Sequence, residues 1–176
     1  MTIIDSHAHT NGGNLGNYKA GLLSSRALAQ RSFKQSEEQL KVAVDHHINT
    51  IMNEVGTDIQ FISPRPYLQM HSVKPGKVTE LWSQHCNNLI AEFVKLHPDR
   101  FRGVAGLPQF MDEPLEQRAI PELRRCVQDL GFVGCLINPD STEGLGDPPG
   151  MGEPYWPPLY QAMVDLDVPG LIHSAG

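Results

Sequence analysis

Short apolar runs alternate with amphipathic segments along this chain. Five runs rich in β-branched or aromatic residues predict β-strands, at residues 3–9, 58–63, 101–107, 132–137 and 168–173. Apolar residues at helical spacing predict helices between them, over residues 36–56, 75–96, 121–130 and 159–164. Strands that alternate with helices pair in parallel through right-handed crossovers. The order of elements therefore predicts an α/β fold built on a parallel sheet.

A parallel sheet of this kind is either open and doubly wound or closed as a (β/α)8 barrel. No G-x-G-x-x-G follows the first predicted strand and no P-loop lysine motif occurs, so open nucleotide-binding sheets lack their usual signature. Barrels carry their chemistry at the carboxyl ends of the strands. Polar side chains end or directly follow four of the predicted strands, at His9, Ser63, Asn138 and His173. We therefore expect a (β/α)8 TIM-barrel type of fold, of which this chain holds about the first five β/α units.

The first predicted strand leads into Asp5-Ser6-His7-Ala8-His9. Side chains alternate between the two faces of a strand, so Asp5, His7 and His9 are expected to point the same way. Two imidazoles at this spacing can bind one divalent metal, and the carboxylate can orient a ring or act as a third ligand. His173 ends the fifth predicted strand, which faces the first across the mouth of a barrel. The pattern predicts a metal site at these three histidines, and its alternative is a chance pair of strand histidines.

The charge balance argues against several classes of partner. Lys and Arg number 14 against 20 Asp and Glu, a net charge of −6, whereas nucleic acids and anionic membranes attract basic surfaces. No apolar run approaches the length of a membrane span, and no charged start is followed by an apolar run. Three cysteines without a CxxC pair indicate reduced thiols. We expect a cytoplasmic protein with no nucleic-acid or membrane partner, forming one domain over residues 1–176.

The strand-one motif together with His173 resembles the metal site of the amidohydrolase superfamily. Within it, essentially the whole chain is similar to the branch of aminocarboxymuconate-semialdehyde decarboxylase and related lyases. The matching phrases are Ser63-Pro64-Arg65-Pro66, His97-Pro98-Asp99-Arg100-Phe101, Gly106-Leu107-Pro108, Leu130-Gly131-Phe132-Val133-Gly134 and Tyr155-Trp156-Pro157-Pro158-Leu159-Tyr160. Two further phrases, Glu54-Val55-Gly56-Thr57-Asp58-Ile59-Gln60 and Gln69-Met70-His71-Ser72, most resemble the 4-oxalomesaconate hydratases.

The resemblance implies a metal-dependent lyase. A hydratase of this kind adds water to a conjugated polycarboxylate such as 4-oxalomesaconate, in the catabolism of protocatechuate and gallate. His7, His9 and His173 would hold Zn²⁺ or another divalent metal, which lowers the pKa of bound water or polarises a substrate oxygen. Asp5 would orient a ligand imidazole or share a proton. Decarboxylation of an aromatic or muconate-type carboxylate, a related metal-dependent hydrolysis and a noncatalytic fragment remain the alternatives.

A polyanionic small-molecule substrate also requires positive charge and hydrogen-bond donors. Arg65, just past the second strand, is placed for a bidentate carboxylate clamp, and Ser63 and Asn138 are expected to contact the substrate from strand ends. His71 would serve as a proton donor or base, with a packed loop histidine as its alternative. Residues 10–35 carry four basic and no acidic side chains, which suits either a lid that attracts an anion or a solvated loop.

The length of the chain differs from that of the family barrel. Eight β/α units typically need about 250 residues, and this sequence stops three residues after His173. We therefore expect a chain truncated after strand five, which holds part of an active site and is inactive alone. A half-barrel completed by another chain is the alternative. The full-length form is expected to be a homo-oligomer.

Overall fold

A computed structural model describes residues 1–10, 36–64 and 71–173. Within these ranges the sheet has five strands: β1 (Ile4–Thr10), β2 (Ile59–Pro64), β3 (Phe101–Ala105), β4 (Gly134–Ile137) and β5 (Gly170–Ile172). Each strand pairs in parallel with the next, in the order β1-β2-β3-β4-β5. A doubly wound sheet reverses its strand order at a switch point, whereas a barrel keeps the order of the sequence. The predicted α/β fold of barrel type is confirmed.

In the described ranges, four main helices connect these strands. They are α1 (Glu37–His47), α2 (Gly76–Leu96), α3 (Ala119–Gln128) and α4 (Pro157–Leu166). A π-helical turn at Ile48–Met52 and a short helical turn at Asn53–Val55 prolong α1, and a 3-10 turn at Leu115–Gln117 precedes α3. Each predicted helix is therefore present, and the π-helical and 3-10 turns are additions that the apolar spacing does not signal.

The ends of α1 follow from its sequence. The Ser36 hydroxyl accepts the backbone N–H of Gln39 (3.1 Å), and the Gln39 side chain accepts the backbone N–H of Ser36 (3.3 Å). This reciprocal pair is a capping box, which satisfies two N–H groups that the first turn leaves free. Gly56 ends the prolonged helix at φ +76°, a left-handed conformation that glycine adopts without steric cost.

Three strands are shorter than predicted: β5 spans Gly170–Ile172 instead of residues 168–173, and in β3 and β4 other hydrogen bonds take the backbone groups. β3 stops at Ala105 instead of residue 107, since the Gly106 N–H donates to Oδ1 of Asn87 in α2 (2.9 Å). β4 begins at Gly134 instead of residue 132, since the Phe132 N–H donates to the Cys126 carbonyl of α3 (3.0 Å). In both cases a helix contact replaces a strand pairing.

The main core lies between the sheet and the helices. Ile62 of β2 and Phe101 of β3 pack in one buried cluster with Val44 of α1, Ile90 of α2 and Leu123 of α3. Removal of this apolar surface from water is the dominant favourable term in folding. Across the described ranges, no helix combines the length and the apolar character that crossing a lipid bilayer requires.

The sheet is curled into an arc. In a flat sheet with about 4.8 Å between neighbouring strands, β1 and β5 would lie about 19 Å apart. Yet Nε2 of His9 on β1 lies 3.2 Å from Nε2 of His173, which directly follows β5. Two imidazole side chains cannot bridge the flat distance, so the carboxyl ends of β1 and β5 face one another as they do across the mouth of a barrel.

Candidate metal centre

Three imidazoles converge at the carboxyl ends of β1 and β5. Nε2 of His7 lies 3.1 Å from Nε2 of His9, which lies 3.2 Å from Nε2 of His173. The ligand atoms of all three residues lie within 4.8 Å of one another, with His7 exposed and the other two half-buried. The structure thus brings together the three histidines that the sequence singles out.

The spacing of these nitrogens fits a divalent cation. Zinc–nitrogen bonds of about 2.0–2.1 Å place neighbouring imidazole nitrogens about 3.3 Å apart in tetrahedral geometry and about 2.9 Å apart in octahedral geometry. The two observed separations, 3.1 and 3.2 Å, lie between these values. No carboxylate of the described residues joins the group. Three nitrogen donors are typical of catalytic zinc sites, whereas structural sites use four protein ligands.

Ser63 fixes the position of a proton on His9. The Ser63 hydroxyl donates to the carbonyl of Ala8 (3.1 Å), so its oxygen accepts from Nδ1–H of His9 (2.9 Å). With the proton on Nδ1, Nε2 of His9 presents a lone pair, which is the form that a metal ligand needs. Ser63 therefore lies beside a candidate ligand, and its contact with a substrate stays a prediction.

β1 contains a bulge between Asp5 and Ala8. Over this stretch β1 advances three residues while β2 advances two, so one residue of β1 is extra. Strict alternation therefore fails, and the expectation that Asp5 shares one face with both histidines of β1 is wrong. The paired Cα positions are Asp5 with Gln60, Ala8 with Ile62 and His9 with Ser63.

Asp5 is tied to the backbone and to β2. Its Oδ1 accepts the backbone N–H of His7 (3.1 Å), and its Oδ2 accepts Nε2–H of Gln60 (2.9 Å). Gln60 in turn accepts Nε2–H of His47 in α1 (2.6 Å). The carboxylate thus holds the main chain of a candidate ligand, and its role in catalysis stays a prediction.

His71 is buried and uses both ring nitrogens. Its Nε2–H donates to the Leu107 carbonyl (2.9 Å), and its Nδ1 accepts Nδ2–H of Asn138 (2.9 Å). Burial lowers the pKa of His71, against smaller opposing effects of the Leu107 carbonyl and of Glu143. The ring is therefore neutral, and it must release one partner before it can exchange a proton with a substrate. Its role as donor or base stays a prediction.

The loop after β4 is hydrogen-bonded to the segment that carries His71. Glu143 accepts the backbone N–H of His71 (3.1 Å) and the hydroxyl of Ser72. Asp140 orders the same loop by accepting the backbone N–H of Thr142 (2.8 Å), and its hydrogen bonds with Thr142 lower the pKa of the Asp140 carboxyl. The β4 loop and the start of the segment before α2 are thereby joined through side chains.

The side chain of Gln109 bonds to the main chain of Asn138, which directly follows β4. Its side-chain Nε2–H donates to the Asn138 carbonyl and its Oε1 accepts the Asn138 N–H, both at 3.0 Å. The amide therefore bonds to Asn138 as a neighbouring strand would. A small cavity adjoins this pair, lined by His71, Gly106, Leu107, Gln109, Leu136, Asn138 and His173. Two predicted site residues thus share a cavity with a candidate metal ligand.

Some predicted residues lie outside the described ranges, and some contacts were not foreseen. Arg65 and residues 11–35 are outside, so the carboxylate clamp and the lid stay predictions. Gln60, Gln109 and Glu143 were not among the site residues predicted from the sequence. Gln60 carries a signal in retrospect, because it is a polar residue inside an apolar strand. Nothing in the loop sequence around Glu143 indicates its partners.

The three cysteines offer no nucleophile. All are buried and unpaired, and burial raises the pKa of both Cys86 and Cys135 to about 12. Burial also raises the pKa of Cys126, and the neighbouring Glu122 carboxylate adds to the effect. Since the thiolate is the reactive form, thiol chemistry near neutral pH is excluded.

Hydratases and decarboxylases are among the proteins similar to this chain. It is 38% identical over 141 residues to the 2-keto-4-carboxy-3-hexenedioate hydratase of Sphingobium sp., covering 80% of this chain and 41% of the relative. It is 33% identical over 150 residues to a gamma-resorcylate decarboxylase of Rhizobium radiobacter, covering 84% and 41%.

Solved structures share the fold. The crystal structure of 4-oxalomesaconate hydratase from Rhodopseudomonas palustris matches 98% of this chain and 52% of that one, with a TM-score of 0.85 at 30% identity. A dihydroxybenzoic acid decarboxylase from Polaromonas sp. JS666, solved with bound manganese, matches 100% and 50%, with a TM-score of 0.70 at 24% identity. At that last identity the likeness is one of fold.

The family follows from the extent of the match. The chain spans 41% to 52% of the length of these proteins. The amidohydrolase family model matches residues 4–176, which include all five strands and the three converging histidines. This chain therefore belongs to the amidohydrolase family.

Proposed function

We propose that this chain forms the metal-binding part of a hydratase, which adds water across a conjugated carbon–carbon double bond of a polycarboxylate. The observation that carries the proposal is the convergence of His7, His9 and His173 at the barrel mouth. Similarity to a 2-keto-4-carboxy-3-hexenedioate hydratase and to a 4-oxalomesaconate hydratase supports this class of substrate. In this proposal residues 1–176 act as one domain, and the full-length protein is a homo-oligomer.

The donor set supports zinc as the cation. Three imidazole nitrogens suit zinc, whereas manganese prefers oxygen ligands. Manganese, which the Polaromonas decarboxylase contains, is the alternative. When bound, the cation would supply Lewis acidity to an oxygen atom of the substrate or of water.

Hydrogen bonds within the chain orient two of the three histidines. Ser63 holds Nδ1–H of His9, and Asp5 holds the backbone N–H of His7. Both histidines are therefore positioned by protein contacts before any substrate arrives. Groups that are preorganised in this way need no reorganisation during the reaction.

A polycarboxylate also needs donors beside the metal centre. Asn138 and His71 line the cavity next to His173. Arg65 follows β2 in the sequence, and the carboxyl end of β2 lies beside that of β1. We assign a bidentate carboxylate contact to Arg65, because a guanidinium presents two parallel donors that match both carboxylate oxygens.

Decarboxylation is the second candidate. Similarity to a gamma-resorcylate decarboxylase over 84% of the chain favours it. That substrate is an aromatic monocarboxylate, so the two candidates differ in the number of carboxylates that the site must bind. Substrate binding therefore separates them.

Metal content and ligand binding test the proposal. We expect this chain to hold part of an active site, so binding is measured instead of turnover. Purified protein is loaded with Zn²⁺, its metal content is determined by mass spectrometry, and 4-oxalomesaconate and gamma-resorcylate are titrated in a calorimeter. The proposal predicts one zinc per chain and tighter binding of 4-oxalomesaconate.

Histidine variants locate the metal. His173→Ala is expected to lose bound zinc, whereas His46→Ala, which changes an exposed histidine of α1, is expected to keep it. Full zinc content in His173→Ala would overturn the site. Tighter binding of gamma-resorcylate would replace the hydratase by the decarboxylase.

A further inference from the structure

We infer that Gln60 is a positioning residue for the metal centre, because its amide holds the bulge that aims the β1 histidines at the barrel mouth. The inference rests on the metal centre of the proposed function and adds to it a residue of β2 that acts through Asp5. Two observations support it. The first is the register of β1, and the second is the set of hydrogen bonds that joins the His7 N–H to Asp5, Asp5 to Gln60, and Gln60 to His47.

The bulge decides which way His9 points. On a regular strand, His9 would keep the side of Asp5, four residues earlier. Asp5 pairs with Gln60, whose side chain contacts His47 of α1. His9 instead pairs with Ser63, which is an odd number of residues from Gln60 along β2 and therefore points to the opposite face. A one-residue shift in register moves a side chain to the other face of a sheet. The extra residue thus turns His9 from the α1 side to the mouth.

Asp5 holds the main chain at this point. Its Oδ1 accepts the N–H of His7, two residues ahead, which is the pattern of an Asx-turn. Its Oδ2 is bound by Nε2–H of Gln60. A carboxylate anchored at both oxygens has one orientation, and the backbone that it bonds to has one as well.

An amide at position 60 satisfies two different neighbours. A carboxylate only accepts hydrogen bonds, so the Nε2–H end of Gln60 must face Asp5, and its Oε1 must face His47. Gln60 is 4% exposed, so water cannot readily replace either partner. The side chain therefore links α1 to the β1 bulge through a fixed donor and a fixed acceptor.

Cobalt binding measures this effect directly. The protein and its Gln60→Glu variant are titrated with Co²⁺ at mildly alkaline pH, and the visible absorption bands report both affinity and coordination geometry. The introduced carboxylate can still accept from His47 but cannot donate to Asp5. We expect Co²⁺ affinity to fall by about 10- to 100-fold, the range found when groups that orient metal ligands are changed, with altered bands for the metal that remains bound.

A second substitution distinguishes positioning from loss of stability. In the double variant Gln60→Glu with Asp5→Asn, the new amide at position 5 donates to the new carboxylate and still accepts the His7 N–H. Affinity and absorption bands should return close to those of the unsubstituted protein. Asn87→Asp is the matched control: it also places a carboxylate beside a carboxylate, that of buried Glu122, but on α2. It should leave the bands unchanged.

The outcomes separate the inference from the proposed function. If the unsubstituted protein binds no Co²⁺, the metal centre is wrong, and the inference falls with it. If that protein binds Co²⁺ and Gln60→Glu binds it equally well, the inference alone is overturned. Failure of the double variant to recover the absorption bands also overturns it.

Discussion

Burial of His71 makes the stability of the folded chain depend on pH. His71 is buried, and this burial lowers its pKa below the ordinary value of 6.5. The unfolded chain therefore takes up a proton on this ring as the pH falls through about 6.5, while the folded chain does not until lower pH. More protons are then bound to the unfolded state, so acid destabilises the folded protein through His71.

Replacement of His71 tests whether this residue makes acid destabilise the folded protein. We expect the free energy of unfolding to fall below about pH 6.5 with a contribution of at most about 1.4 kcal/mol per pH unit from His71. His71→Gln keeps a donor for the Leu107 carbonyl but does not titrate, so it should reduce that slope. Urea unfolding between about pH 5 and 7.5 gives the measurement. His85, whose pKa is also lowered by burial, contributes equally to both proteins. Equal slopes would contradict the prediction.

At the scale of elements, close packing of β3 depends on a glycine. A Cβ placed on Gly103 would lie 2.4 Å from two ring atoms of Phe132, and Phe132 belongs to the buried core. The ring cannot move without displacing its neighbours, because protein interiors are packed at the density of organic crystals. Phe132, which lies between α3 and β4, and Gly103, in the middle of β3, are therefore fitted to each other.

Gly103→Ala is expected to destabilise the fold by about 1–3 kcal/mol, the usual cost of overpacking a core. Chemical unfolding measures the loss. Gly152→Ala is the matched control, since a Cβ there meets nothing within 4 Å. The double variant Gly103→Ala with Phe132→Leu should recover part of the loss, because a smaller side chain makes room. An unchanged midpoint for Gly103→Ala would show that Phe132 shifts without cost.

The ends of a helix could be predicted from the sequence where they depend on neighbouring residues. The capping box at Ser36 and the left-handed Gly56 mark the ends of the first helix, and both signals depend on residues close in sequence. The β1 bulge was not predictable, since Asp5, His7 and His9 have the same alternation with or without an extra residue. Gln60, which bonds to Asp5 at the bulge, lies 55 positions away along the chain.

The candidate site shows the same division. The three histidines could be predicted together, because motif and strand order place them at facing strand ends. The partners of His71 could not. Leu107 contributes a backbone carbonyl, which any residue carries, and Glu143 comes from a loop whose path no periodic pattern encodes.

At the scale of the whole molecule, apolar side chains lie exposed on both outer strands. Ile4 of β1 is 53% exposed, and Ile172 of β5 is 59% exposed. In the described part of the chain, each of these strands has a neighbour on one side alone. A strand edge with free backbone groups and apolar side chains is a template for association with other chains.

We therefore expect the isolated 176-residue polypeptide to self-associate. Size-exclusion chromatography with light scattering should give a mass that rises with protein concentration. Ile172→Lys should shift the equilibrium toward the monomer, because a charge on an edge strand opposes pairing, whereas Leu145→Lys, at an exposed loop residue, should not. A monomer at every concentration would contradict this prediction.

The two hydrogen bonds between Gln109 and Asn138 have a consequence for how the barrel mouth can evolve. Ladder bonds between main chains survive almost any replacement of side chains, but the main chain of Asn138, which directly follows β4, is bonded by the side-chain amide of Gln109. A single codon change at Gln109 can therefore loosen the backbone at Asn138 without touching the pairing of β3 with β4. Natural variation can reshape the rim of the arc while the scaffold beneath it is inherited intact.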